Sequence, residues 1–230
     1  MPDRYTYLLV DLCCIFFPFL FSFYPKIRFY RQWRYFVMPC IVSALIFVIW
    51  DVLFTKAGIW SFNPRYVVGI YLFSLPLEEY LFFLCIPYAC TFTYYCIHSF
   101  VFKNRPGRAT AVSVLLTTCL TATGLLHLPQ LYTSVTFLLL SALLIVLLIT
   151  GASFMSAFYV SFLIILIPFF ISNGILTGCI MPEPVVAYND HYNLGIRMLT
   201  IPVEDTFYGM TLLLMNVAGF EYLKRRRSAG

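Results

Sequence analysis

Charge is scarce in this chain. Asp, Glu, Lys and Arg make up 11% of its 230 residues, against about 25% in a typical soluble domain. That shortage excludes a soluble globular protein. With 61% hydrophobic residues and a mean hydropathy of +0.86, the chain reads as an integral membrane protein. Its length holds about seven spans of roughly 20 residues and leaves no room for a separate soluble domain. Other absences narrow the chemistry. No GxGxxG follows a strand and no P-loop occurs, so no flavin, NAD or nucleoside triphosphate site is expected. The eight cysteines form no CxxC and no Cys/His cluster with zinc spacing. Several of them, such as Cys13, Cys14 and Cys119, sit in apolar runs as small packing residues. No D-x-x-x-D pair is present to hold magnesium and a diphosphate. The lysines, Lys26, Lys56, Lys103 and Lys224, all lie in loops or the tail. A Schiff-base lysine within a last membrane span is therefore not expected. No basic leader precedes an A-x-A site, so the first apolar segment is expected to stay as a span. Neither metal nor cofactor is expected.

What is present is a stretch that occurs twice. Phe62-Asn63, Gly69-Ile70 and Ser74-Leu75-Pro76-Leu77-Glu78-Glu79 return as Tyr188-Asn189, Gly195-Ile196 and Thr200-Ile201-Pro202-Val203-Glu204-Asp205, each 126 positions later. A constant offset over so many positions marks an internal repeat. Each copy sets two acids just behind a proline, beside long apolar runs. Carboxylates at membrane depth are costly and point to function.

Apolar runs predict spans near 5–23, 35–54, 74–100, 110–126, 132–150 and 155–171, and a seventh from 200 to the basic tail. Spans one to three correspond to spans five to seven, with Asp51 matched to Asn173 ahead of a four-residue insertion around Pro182-Glu183-Pro184. The expected fold is all-α and membrane-spanning, with seven transmembrane helices as a 3+1+3 parallel internal repeat. Its parts are a first three-helix unit (1–105), a linking helix (106–130) and a second three-helix unit (131–230). The single linking span gives both units one orientation, which would bring the two acid motifs to one depth across a central cleft. Basic residues cluster after span one (Lys26, Arg28, Arg31, Arg34), after span three (Lys103, Arg105, Arg108) and in Lys224-Arg225-Arg226-Arg227. They set topology rather than bind nucleic acid. The N-terminus is expected outside and the C-terminus in the cytoplasm, in a prokaryotic cytoplasmic membrane. Both acid motifs then fall at the outer ends of their spans.

The acids have a structural explanation. Proline suits a first helical turn, acids there complement the helix dipole, and Ser74 and Thr200 are candidate caps. That accounts for one acid per helix better than for two per helix in both halves. A carboxyl in an apolar cleft, beside a second one, resists ionisation. A retained proton next to an apolar substrate is a general acid, and a neighbouring carboxylate can take a proton back or stabilise a cation. Aromatics form 19% of the chain. Trp60, Phe62, Tyr66, Tyr71, Tyr80, Phe82 and Phe83 surround the first motif, and Tyr188, Tyr192, Phe207 and Tyr208 the second. Many will be interfacial belts, but aromatic faces also attract cations. Asp11 and Asp51 are either polar partners or members of the site. Arg65 and Arg197 are either charge partners of the acids or interfacial anchors. His191 reads as a loop residue.

At Pro76-Leu77-Glu78-Glu79 and Pro202-Val203-Glu204-Asp205, with Asn189 and Leu194-Gly195-Ile196-Arg197 upstream, the chain resembles the integral-membrane lycopene cyclases of the heterodimeric type, in their fused single-chain form. The second motif departs by ending in Asp205 rather than Glu. The resemblance implies cyclisation of the linear ends of lycopene to β-ionone rings, an isomerisation with no net redox change. A carboxylic acid protonates the terminal double bond, an internal double bond attacks the tertiary cation, and a base removes a ring proton. Glu78, Glu79, Glu204 and Asp205 are the expected catalytic residues. Asn63, Tyr66, Tyr71, Asn189, Arg197 and Tyr208 are the expected substrate contacts. The partners are a lipid-soluble carotenoid and membrane lipids. A carotenoid hydratase of similar build and a small 3+1+3 transporter are the alternatives. The apolar spans, with acids concentrated at one depth, favour an enzyme over a transport path.

Overall fold

A computed structural model describes residues 3–102 and 107–228. Among them the chain forms seven α-helices: α1 (Thr6–Phe21), α2 (Trp33–Lys56), α3 (Leu77–Cys96), α4 (Thr110–Leu126), α5 (Leu131–Ile149), α6 (Met155–Leu176) and α7 (Val203–Ser228). Lipid offers no partner for a free N–H or C=O, so spanning segments close their hydrogen bonds internally. Five helical segments, Asp3–Phe21, Phe29–Lys56, Leu77–Val101, Leu131–Ile149 and Met155–Leu176, are long and apolar enough to cross a membrane. Thr110–Leu126 is a shorter apolar helix. The protein is an all-α, multi-pass membrane protein. Its outer face carries exposed side chains such as Phe17, Leu45, Ile49, Leu115 and Ile167, which suit lipid contact. The basic-loop residues Lys103 and Arg105 lie outside the described residues.

Four helix-interior prolines, Pro18, Pro39, Pro87 and Pro168, each free a carbonyl one turn back. At Pro87 that carbonyl belongs to Phe83 and takes up the thiol of Cys40 from α2, at 3.8 Å. The thiol thus ties α2 to α3 as well as filling space.

The connections before α3 and α7 fold alike, and both are more ordered than sequence patterning suggests. After α2 come β1 (Trp60–Phe62), a 3-10 turn (Pro64–Tyr66), β2 (Tyr71–Leu72) and β3 (Leu75–Pro76). After α6 come β4 (Val186–Tyr188), a 3-10 turn (Asp190–Tyr192), β5 (Arg197–Met198) and β6 (Ile201–Pro202). Every boundary is displaced by the offset read from the sequence. β2 and β3 form a tight hairpin, as do β5 and β6. In the first hairpin both turn residues, Phe73 and Ser74, have positive φ (48° and 77°), as a two-residue turn of that hand requires. The expected caps are therefore corrected. Ser74 is committed to the turn, and the Thr200 hydroxyl bonds Thr177 at 2.7 Å.

The halves meet through their equivalent strands. β1 and β4 pair antiparallel, Trp60 with Tyr188, Ser61 with Ala187 and Phe62 with Val186. Because Ser61 and Ala187 are equivalent under the offset, the pairing is self-complementary, as across a local two-fold axis. Below it lies an aromatic cluster containing Phe47, Trp50, Trp60, Phe83 and Tyr132. Further down, Asn216 of α7 donates to the Ser43 hydroxyl of α2 at 2.7 Å. There α2 and α7 approach closely enough that a Cβ at Gly219 would stand 2.8 Å from Pro39.

Candidate active site

The first turns of α3 and α7 hold two kinds of acid. Glu78 and Glu204 point back under their own loops. Glu78 Oε1 accepts the backbone N–H of Val68 at 2.6 Å, and Glu204 Oε1 that of Leu194 at 2.8 Å. Thr133 adds its hydroxyl to Glu204 Oε1. These are the same bond made twice, and each clamps a loop onto the helix it precedes. The Asn63 side chain likewise accepts from the N–H of Arg65, and Asn189 from that of His191, both at 3.1 Å.

Glu79 and Asp205, one residue further on, face inward. The Tyr7 hydroxyl donates to Glu79 Oε2 at 2.6 Å. Asp51, near the end of α2, meets Glu79 carboxyl to carboxyl, within hydrogen-bonding contact. Two carboxyls this close repel when both are ionised, so a proton held between them is favoured. The Tyr208 hydroxyl, from the other half, donates to Asp51 Oδ1 at 2.7 Å. Asp205 is surrounded by donors instead. Tyr188 reaches its Oδ2 at 2.8 Å, Asn173 reaches the same oxygen at 2.9 Å, and Tyr132 bonds Oδ1. Burial first, and then the Asp205 carboxylate, hold the Tyr188 phenol well above its ordinary range, so it remains a donor. Asn173 stands to Asp205 as Asp51 stands to Glu79.

Glu79, Asp51 and Asp205 line one cavity of about 810 Å³. α1 and α6 form its sides through residues such as Val10, Cys14, Ile165 and Phe169, and α3 and α7 form its back through Phe82, Ile86, Tyr208 and Leu212. Trp60, Tyr132 and Tyr188 close the end next to the acids. Their rings pack at 5.2–6.1 Å between centroids. At its rim lie Phe17 and Ile171, 61% and 63% exposed on the outer face of α1 and α6. The cavity therefore reaches the lipid-facing surface between these two helices.

Among the expected site residues, Glu79, Asp205 and Tyr208 come together in this cavity, while Glu78 and Glu204 sit behind it. Tyr66 is wholly buried in the aromatic cluster, under the Arg65 guanidinium. Tyr71 and Asn189 border a separate surface depression of about 550 Å³ over the β1–β4 ladder. Asn63 donates to Glu183 at 3.0 Å, within the insertion. Of the two readings of Arg65 and Arg197, charge partners of the motif acids or interfacial anchors, their salt bridges agree with the second. Arg65 bonds Asp3 at 2.7 Å, and Arg197 bonds Asp190. Both arginines are exposed at the surface, while the motif acids are buried beneath the loops. Asp11 is buried one turn below Tyr7, with both carboxyl oxygens unpartnered among the described residues. Tyr7 and Tyr132 carry little signal in the sequence. The only signal is that both open the first helix of a repeat.

The sequence model of the lycopene cyclase family matches the chain twice, over residues 4–97 and 129–223. The chain belongs to that family and is an enzyme of carotenoid cyclisation. The two matched regions are the two halves whose loops and acids superimpose by the offset, and the stretch between them contains α4. No curated protein and no solved structure matches the chain significantly.

Proposed function

We propose that this protein is a lycopene β-cyclase that closes linear carotenoid ends to β-ionone rings, giving γ- and β-carotene by isomerisation. The observation that carries this reading is the pairing, at the closed end of an apolar cavity, of a hydrogen-bonded carboxyl pair with a carboxylate held by three donors. A hydrocarbon arrives from the lipid between α1 and α6 and sets its end among Trp60, Tyr132, Tyr188 and Tyr208. The Asp51–Glu79 pair delivers its proton to the terminal double bond. The resulting tertiary cation is attacked by the internal double bond six atoms along, forming one C–C bond. Asp205 removes one ring proton. One proton enters and one leaves, so substrate and product are isomers. Aromatic faces and the Asp205 charge stabilise the cation, and the dry walls deny it water, which would trap it as an alcohol. To reset the site, the proton on Asp205 returns to the pair. Tyr188 and Tyr208, each bonded to one of these carboxyls, are placed to carry it. Glu78 and Glu204 act as positioning residues that hold the loops over the site.

The 3+1+3 parallel plan, with units at 1–105, 106–130 and 131–230, is part of this proposal. It is supported by the repeated loop geometry and by the self-complementary strand pair, which parallel repeats would produce. The N-terminus outside and the C-terminus in the cytoplasm complete it. The test is expression in bacteria that accumulate lycopene, with pigments separated by chromatography. γ- or β-carotene is expected from the wild type and unchanged lycopene from Asp205→Asn. Hydroxylated, uncyclised pigment from the wild type would instead make it a hydratase. Unchanged lycopene, with the protein present in the membrane, would refute both.

A further inference from the structure

The repeat generates two equivalent clefts, one between α1 and α6 and the other between α5 and α2. Among the described residues the first holds the large cavity, and the second is packed with aromatic side chains. Two exchanges between equivalent positions account for the difference. On α3 and α7 the offset of 126 matches Phe83 with Gly209. On α2 and α6 the matched roles of Asp51 and Asn173 set an offset of 122, pairing Phe47 with Phe169 and Trp50 with Ser172. Contacts agree with that register. The Phe47 ring lies 5.9 Å from Phe83, and Phe169 lies 3.6 Å from where a Cβ on Gly209 would stand.

In the α5/α2 cleft, Phe47 and Phe83 are wholly buried, and the Trp50 ring packs tilted against Phe47 at 5.3 Å and edge-on against Tyr208 at 5.0 Å. Aromatic side chains each bury roughly 150–250 Å² and fill such a gap. In the α1/α6 cleft the equivalent places carry a hydrogen atom and a hydroxymethyl group, and both Gly209 and Ser172 border the cavity.

We propose that Gly209 and Ser172 create the reaction chamber by omission, that the chain has one chamber served by the acids of both halves, and that a two-ended substrate is cyclised one end per visit. This rests on the cyclase reading above. A conjugated polyene is a stiff rod, so its far end cannot reach the same acids without the molecule leaving and returning reversed. Gly209 is then a specificity-determining position whose side chain sets how much of the end group is admitted.

The test compares wild type, Gly209→Phe and Ser172→Trp in lycopene-containing membranes, following pigments over time and thermal unfolding in detergent. Each variant restores the residue of the closed cleft. Either should lower the cyclisation rate on the order of 100-fold, as a misplaced reacting group does, with unfolding unchanged. Adding Phe169→Ala to Gly209→Phe reopens the space and should restore part of the rate. In the wild type, monocyclic pigment should precede any bicyclic pigment. Full activity in both filled variants, or bicyclic pigment from the outset with no free monocyclic pigment, would overturn the single chamber. A wild type that forms no cyclic pigment would overturn the cyclase reading instead. A Gly209→Phe protein that unfolds early leaves Ser172→Trp to decide.

Discussion

Replacing Asp51 by Asn changes one atom of the site and tests the acid assignment directly. The amide has the carboxyl's shape. It still accepts from Tyr208, now 2.7 Å from Asp51 Oδ1, and its NH₂ can donate to Glu79 in place of the shared proton. Packing and hydrogen-bond count are thereby preserved, while the pair's transferable proton is lost. General acid catalysis is worth about 10²–10⁴-fold, or about 2.7–5.4 kcal/mol at 1.36 kcal/mol per decade. The expected result is a fall of that size in the initial rate of ring formation at matched protein level, with no loss of thermal stability. The second half supplies an internal comparison, since Asn173 already occupies the matching place beside Asp205, at 2.9 Å. Adding Asn173→Asp to Asp51→Asn moves the carboxyl pair to the other half and should recover part of the rate. A single variant that stays within about threefold of wild type, far below what a lost general acid costs, would refute the pair as proton donor.

Two further expectations concern stability. Glu78→Ala leaves the Val68 N–H without its acceptor and should cost about 1–3 kcal/mol in detergent unfolding, whereas Glu78→Gln keeps an acceptor oxygen and should cost much less; equal losses would place Glu78's value in its charge. Gly219→Ala drives a methyl to 2.8 Å from Pro39 and should destabilise the α2–α7 contact by about 1–3 kcal/mol. An unchanged melting temperature would refute so tight an approach.

Much of this molecule was legible in its sequence because repetition leaves a regular trace. The offset located both acid pairs and matched the Asn and Gly positions of the two connections, but not the hairpins and 3-10 turns those connections fold into. It did not say which acid of a pair faces the chamber. Neighbouring helix residues point about 100° apart, so Glu78 and Glu79 serve different surfaces despite adjacent positions. Tyr7 and Tyr132 are inconspicuous in the sequence for another reason. A tyrosine at a span's end reads as an interfacial belt residue, and this pair is 125 apart rather than 126. Asp51 was visible as an acid near a helix end, but its partner Glu79 lies across a loop that only folding brings round. The cavity was the least legible feature, since it depends on side chains that are missing at Gly209 and Ser172.

The self-complementary ladder of β1 and β4 bears on how such a protein can change by mutation. Two identical three-helix units could pair through this ladder, but then every substitution would appear on both sides of the axis at once. A carboxyl at one site and an amide at its mate, as at Asp51 and Asn173, is impossible under that constraint. So is a phenylalanine opposite a glycine, as at Phe83 and Gly209. In a single chain the two halves are independent mutational targets. One can be hollowed while the other remains packed, and one can donate a proton while the other receives it.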